Sequence, residues 1–340
     1  MFDLSCLKKP LLIAPMAGGP STPQLVAAAC ECGASAFLAA GYQTAEQLAQ
    51  QIQQTRNLTQ QAFGVNLFTP QWNKNFDEIR WQQYRNSLKQ WISNEIPLDL
   101  VPKSSDDAYL EKLMVVLELK PAFISFTFGC PSEAVIQALH EKDILVIATV
   151  TDATEAQTAL NRGVDGLCVQ GPEAGGHRAT FQVDATPDSK PLLELLKEIK
   201  TITKQPLLAA GGIATAKQVE ELLSNGAIAV QVGTLFLTAH EAGTNEVHKN
   251  ALLKGHYTDT AVTRAFTGRP ARGLKNSFIN QLTEQAPCFY PELHYLTSKI
   301  RKYAAQHGRE EWMALWAGTG FKQVQDAQAS VIINRLLQEI

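Results

Sequence analysis

Short apolar runs alternate with amphipathic stretches along the first two thirds of the chain. The apolar runs fall at 11–16, 34–40, 63–68, 122–128, 144–150, 166–171, 206–210 and 228–236, each of a length that suits a strand buried on both faces. Between them the spacing predicts helices at 22–32, 44–56, 131–141, 154–161, 192–200 and 215–224. Several open on Ser, Thr or Asp and meet a glycine soon after they end, as in Thr215 to Gly226, because those residues satisfy the free N–H and C=O groups of helix ends. Strict alternation of strand and helix predicts an α/β fold with a parallel sheet, and eight such units over residues 1–240 match a (β/α)8 barrel. The rival, an open doubly wound sheet, normally has fewer strands, and no glycine-rich dinucleotide turn follows the first strand here.

Two segments depart from this rhythm. Residues 69–120 hold more than a helix needs, including Trp72, Trp81, Tyr84 and Trp91. A loop that follows a barrel strand lies on the active-site rim, so this insertion reads as a partial lid, with helix packing as the alternative. From 241 to 340 the alternation stops; aromatics such as Phe289, Tyr290, Trp312 and Trp316 and a closing amphipathic stretch at 324–337 predict a small helical second lobe.

Side chains alternate along a strand, so parity separates the two faces. Val65 and Leu67 leave Asn66 on the other face; Phe126 and Phe128 leave Ser125 and Thr127; Leu167 and Val169 oppose Cys168 and Gln170; Val230 and Val232 oppose Gln231. The polar set is expected to converge inside the barrel near the strand ends that carry barrel active sites. A polar core layer that satisfies its own hydrogen bonds is the other reading. Glycines follow the last two strands, as Gly211-Gly212 and as Gly233-Thr234, where barrels commonly bind phosphate on backbone N–H groups. After strand six, Gly175 and Gly176 deliver His177 to the same rim, which makes its imidazole the catalytic candidate. His240, His248, His256, His294 and His307 lie outside the strands and are read as bystanders, and His140 as a helix end.

Composition narrows the partners. The 340 residues are 45% hydrophobic and 19% charged, with 30 Lys and Arg against 33 Asp and Glu, a formal charge of -3. That is a globular composition without the basic excess that nucleic acid or an acidic membrane surface would favour. The first residues lack the basic start and apolar core of a signal peptide, and no apolar run is long enough for a membrane span, so a cytoplasmic protein is expected. Six scattered cysteines without metal-ligand spacing predict reduced thiols; Cys30 and Cys32 sit two apart in a helix and read as structural. No His-x-x-x-His or carboxylate cluster suggests a metal.

The motifs at 14–19, 63–68, 125–129, 169–178 and 268–273, taken in order, resemble those of the bacterial nitronate monooxygenases, formerly 2-nitropropane dioxygenases, over nearly the whole chain. The resemblance implies an FMN-bearing barrel, acting as monomer or homodimer, that oxidises alkyl nitronates with O2 to a carbonyl compound and nitrite. It implies that Pro15 and Met16 line the isoalloxazine and that Asn66 and Gln170 bond its polar edge or ribityl chain. Gly171 and Gln231 belong to the same implied set, and Gly175, Gly176, Gly211, Gly212, Gly233 and Thr234 would hold the phosphate region.

One position departs from the family pattern. Where the fourth-strand motif usually has a histidine base for neutral nitroalkanes, this chain has Thr127, whose hydroxyl cannot accept a proton at neutral pH. A nitronate is already deprotonated, so the expectation is oxidation of nitronates and poor use of nitroalkanes. His177 would bond the nitro group or stand in for the missing base, and Cys130 beside the strand end is read as packing. The alternatives are an NAD(P)H-dependent FMN reductase of enoyl or quinone substrates and a non-catalytic flavin-binding protein.

Overall fold

Eight parallel strands close a barrel in the order β1 (Leu11–Ile13), β2 (Ser35–Ala39), β3 (Gly64–Phe68), β4 (Phe123–Thr127), β5 (Leu145–Val150), β6 (Gly166–Gln170), β8 (Leu207–Ala210) and β9 (Ala229–Val232). The short β7 (Gly176–His177) lies outside the barrel in an antiparallel sheet with β11 (Ala271–Leu274) and β10 (Thr260–Thr263). The structure is a computed structural model that describes residues 7–70, 76–92, 96–338 and 340; Cys6 and Trp72 of the sequence reading lie outside these.

The barrel floor is filled by Leu12, Phe37, Phe123, Ile147, Cys168, Leu208 and Ala229, all with essentially no exposed surface. Space there is tight enough to dictate a residue: a Cβ on Gly64 would sit 2.2 Å from the Phe123 ring. Two residues further along the same inward parity come Asn66, Ser125, Cys168 to Gln170, and Ala229 to Gln231, so the polar set rises above the apolar floor at the C-terminal end. The outward parity, with Val65, Leu67, Ile124, Phe126, Leu167, Val169 and Val230, packs under the helices.

Those helices are α1 (Pro23–Glu31), α2 (Ala45–Leu58), α4 (Tyr109–Leu119), α5 (Glu133–His140), α6 (Ala153–Asn161), α7 (Leu192–Ile202) and α8 (Ala216–Ser224). Caps start them where the sequence places Thr or Asp: Thr44 and Thr215 each form a reciprocal capping box with the glutamine three residues on. The ring is completed from the far end of the chain. Ala329, Ile332, Ile333 and Leu336 of α12 (Ala329–Leu336) are buried in the barrel's helix layer, with α12 packed on α1 and α8.

A second core lies between α3 (Glu78–Trp91), α9 (Glu246–Leu253), α10 (Ser277–Leu282) and α11 (Glu292–Gln306). Trp81, Tyr84 and Leu88 of α3 are buried there with Phe266, Phe278 and Leu293, and the Tyr84 hydroxyl donates to the Ala265 carbonyl at 2.5 Å. Thus the segment after β3 supplies one regular barrel helix, α4, and one helix that belongs to the lobe. The lobe also differs from the helical expectation, because β10 and β11 run through it. The apolar run expected as strand at 228–236 ends at Val232; Gly233 then turns, and Thr234–Thr238 forms a 3₁₀ helix.

Candidate functional site

The polar strand ends and the loops beyond them surround one cleft of about 360 Å³. Pro15, Met16, Asn66, Thr127, Gln170, Gly175, Gly176, His177, Gly211, Gly212, Gln231, Gly233 and Thr234 all line it. Gly171 does not. Its absent side chain serves packing instead, since a Cβ there would meet Leu192 of α7 at 2.6 Å.

Asn66 organises the β3–β4 corner. Its Nδ2 donates to Ser125 Oγ at 2.9 Å and to Thr127 Oγ1 at 3.0 Å, which leaves the Thr127 hydroxyl proton free to point elsewhere. The next residue, Phe128, has φ 72°, a costly conformation for a bulky side chain. It turns the chain sharply and sets the Phe128 ring edge-on to His177 with centroids 5.5 Å apart. Cys130 beyond it is buried in the helix layer, outside the cleft lining, with its thiol pushed up to about 11 by burial.

Gln170 is committed to the loop it begins. Nε2 donates to the His177 carbonyl at 3.0 Å, and Oε1 accepts from the Ala179 N–H at 2.9 Å, so this amide works as a strut. Arg178 Nη1 reinforces the strut at the Gln170 and Gly171 carbonyls, and Arg272 Nε donates to the Pro172 carbonyl at 3.0 Å. The arginine-rich motif at 268–273 therefore holds the 170–178 loop, with Ala271 pairing His177 and Arg272 pairing Gly176.

Glycines make the opposite wall. Gly175 lies so close to the 317–318 backbone that a Cβ would stand 2.4 Å from the Gly318 N–H nitrogen, and that N–H donates to Thr234 Oγ1 at 2.9 Å. Gly211 and Gly212 take φ 125° and 66°, conformations that favour glycine. Three loops from distant parts of the chain meet here with almost bare backbone, an arrangement that admits a phosphate. The strap 317–320 was not anticipated; its glycines at 318 and 320, in a lobe with few strands, were the available signal.

The lining carries no Asp or Glu among the described residues, and its charged member is Arg301. His177 is drawn down to about 3, first by burial and then by the nearby Arg269 and Arg301 charges. Its imidazole is neutral at ordinary pH, with Nε2 2.9 Å from Thr267 Oγ1. Three residues of the lining carry a buried polar atom without a protein partner: Gln231 Oε1, Thr244 Oγ1 and His248 Nε2. No group of three or more His, Cys, Asp or Glu among the described residues could hold a metal ion, and no described helix is long and apolar enough to cross a membrane.

A family model described as nitronate monooxygenase matches residues 2–339. The chain belongs to the nitronate monooxygenase family. It is 33% identical to a probable nitronate monooxygenase of Staphylococcus saprophyticus, over 98% of this chain and 95% of that one, and 33% identical to one of Bacillus subtilis, over 98% and 96%. Among solved structures it is similar to a nitroalkane oxidase from Streptomyces ansochromogenes at 40% identity and a TM-score of 0.93, covering 98% of this chain and 96% of that one. FabK from Thermotoga maritima shares the fold, at 24% identity and a TM-score of 0.76 over 99% and 94% of the chains. The protein is therefore an oxidoreductase with a role in nitronate oxidation.

The cleft is also lined by Tyr42, His248 and Arg301, which the pattern of strands does not expose. Tyr42 lies just past β2 with φ 65°, held there by a bond from its N–H to Asp107 Oδ1 at 2.9 Å, and Asp107 pairs with the buried Lys112 at 2.8 Å. This is how the segment after β3 reaches the site: none of its described residues lines the cleft as a lid would, but Asp107 braces one that does. His248 and Arg301 come from α9 and α11. Both lie on helix faces that also carry buried residues, a signal present at the spacings 248–251–252 and 294–297–301.

Proposed function

We propose that this protein oxidises alkyl nitronates with O2 to a carbonyl compound and nitrite, with FMN as its flavin. The observation that carries the reading is a cleft at the C-terminal mouth of the barrel, with no carboxylate among its described lining residues, walled by backbone glycines on one side and a neutral histidine on the other. The unpartnered Gln231 Oε1 and the clustered glycines fit a group with a polar ring edge and a phosphate. Pro15 and Met16 would lie along the ring, Asn66 and Gln231 at its polar edge, and Gly175, Gly176, Gly211, Gly212, Gly233 and Thr234 around the phosphate. Bound there, the flavin supplies the electron-accepting chemistry.

The protein's own part is binding and orientation. His177, tethered to Thr267 through Nε2, forms one wall of the cleft and would contact the substrate there. Phe128 and Trp316 close around it, their ring centroids 5.5 and 5.6 Å away, and keep water from the reacting carbon. A nitronate arrives without its α-proton, so no strong base has to be provided. The test is the visible spectrum of the purified protein, then oxygen uptake and nitrite release on adding a preformed nitronate. A flavin spectrum with nitronate-dependent nitrite is expected; absence of both nitrite and oxygen uptake from flavin-loaded protein would overturn the reading.

A further inference from the structure

One cation faces the cleft without a counter-ion. Arg301 sits on α11 and lines the cleft beside Tyr42 and His177. Its Nη2 donates to the His294 carbonyl at 2.8 Å and lies 3.3 Å from His294 Nδ1, while Nε donates to Thr297 Oγ1 at 3.3 Å. These bonds fix the guanidinium from behind. No described carboxylate pairs with it, and Nη1 donates to no described protein group. His294 is itself locked by Tyr42, whose ring stacks on it at 3.8 Å and 8°. A desolvated cation left unpaired is costly, so a fold that rigidly positions one toward an open space leaves a place for an anion.

We propose that Arg301 is the anion receptor of the cleft, holding the charged NO2 end of the substrate, and that this contact selects a nitronate over its neutral nitroalkane. The proposal rests on the nitronate reading above and names the residue that provides its specificity. A nitronate is planar and carries its charge on two oxygens, as a carboxylate does, and an N–H of a guanidinium bonds such an oxygen more strongly than it bonds a neutral nitro group. The substrate class then follows from charge at Arg301, without any proton removal at Thr127. Arg269, a fully buried arginine nearby, cannot share the task, because it lies outside the cleft lining with Nη1 on the Thr180 carbonyl at 2.8 Å and its guanidinium over the Phe128 ring.

The test uses flavin-loaded protein with Arg301→Gln and Arg301→Lys. Nitrite, a planar monoanion with two oxygens, and a neutral nitroalkane are titrated as ligands through the flavin absorbance, and KM and kcat are measured separately for a nitronate. Expected for Arg301→Gln is a loss of about 10- to 100-fold in nitrite affinity and a similar rise in nitronate KM, the worth of a charge-assisted hydrogen bond. Neutral-ligand affinity and flavin content stay unchanged, and Arg301→Lys recovers much of the nitrite binding. Equal weakening of both ligands, or of neither, would overturn the proposal, since a merely structural arginine does not discriminate by charge. If Arg301→Gln does not retain flavin, the Lys variant and the ratio of nitrite to neutral-ligand affinity in the unmodified protein decide: no preference for the anion overturns it. Arg301-dependent nitrite binding without nitronate turnover would sink the proposed reaction and leave the receptor standing; turnover indifferent to Arg301 would do the reverse.

Discussion

On the proposed reading, Arg301 sets the preference for the anion, and Thr127 and His177 set how far the site could remove a proton from the neutral form. Thr127 Oγ1 already accepts from Asn66, and a hydroxyl is no base at neutral pH. His177, drawn down to about 3, is a weak one. Proton abstraction from a neutral nitroalkane is therefore poorly served on both walls. The expected outcome is fast oxygen uptake on the preformed nitronate of 2-nitropropane and slow uptake on the neutral form; comparable rates would refute this account. Thr127→His should raise turnover of the neutral form by about 10-fold or more, within what a positioned general base contributes. His177→Asn should retain flavin yet abolish any remaining neutral-form activity. Because the imidazole is already neutral, the nitronate rate should show no histidine inflection between about pH 6 and pH 8; one that disappears in His177→Asn would count against the neutral ring.

The elements matter through the loops they bring together. Gly175 after β6, Thr234 after β9 and Gly318 in the distant strap meet at backbone distance, and the contact leaves no room for a methyl group. Gly175→Ala should push the strap away from the cradle. Its expected signature is flavin content reduced about 10-fold, as one misplaced phosphate contact suggests, with the circular dichroism of the barrel unchanged; full flavin content would contradict the cradle. The barrel strands and the inward polar set were legible because burial on both faces leaves an apolar run in which a polar residue stands out. Tyr42, His248 and Arg301 were not, because their placement depends on partners far along the chain or on neighbouring helices. Tyr42 points into the cleft by virtue of Asp107, and no local pattern encodes a contact across 65 residues. The helix α12 completes the ring for the same kind of reason: its apolar face is visible in sequence, but not the surface it will find.

At the scale of the whole molecule, three histidines tie stability to pH. His248 is lowered to about 4 by burial, His177 to about 3, and His294 falls well below its ordinary value, also by burial first. Each is neutral in the folded protein and free to take a proton near 6.5 once unfolded. As pH falls below 6.5 the unfolded chain therefore binds more protons than the folded one, and folding stability declines until the folded pKa is reached. The sign is fixed by the lowered values: stability is present above 6.5 and lost on acidification, at about 1.4 kcal/mol per pH unit for each histidine fully protonated only when unfolded. His248 offers the clearest test, since its Nε2 has no protein partner and a neutral amide of similar shape removes the titration. His248→Gln should flatten the fall in urea midpoint between about pH 6 and pH 4.5 by roughly one proton's worth, whatever its effect on stability at pH 8. Midpoints that fall in parallel with those of the unmodified protein would show that His248 protonates in the folded state, and that the wall it forms is wetter than its burial indicates.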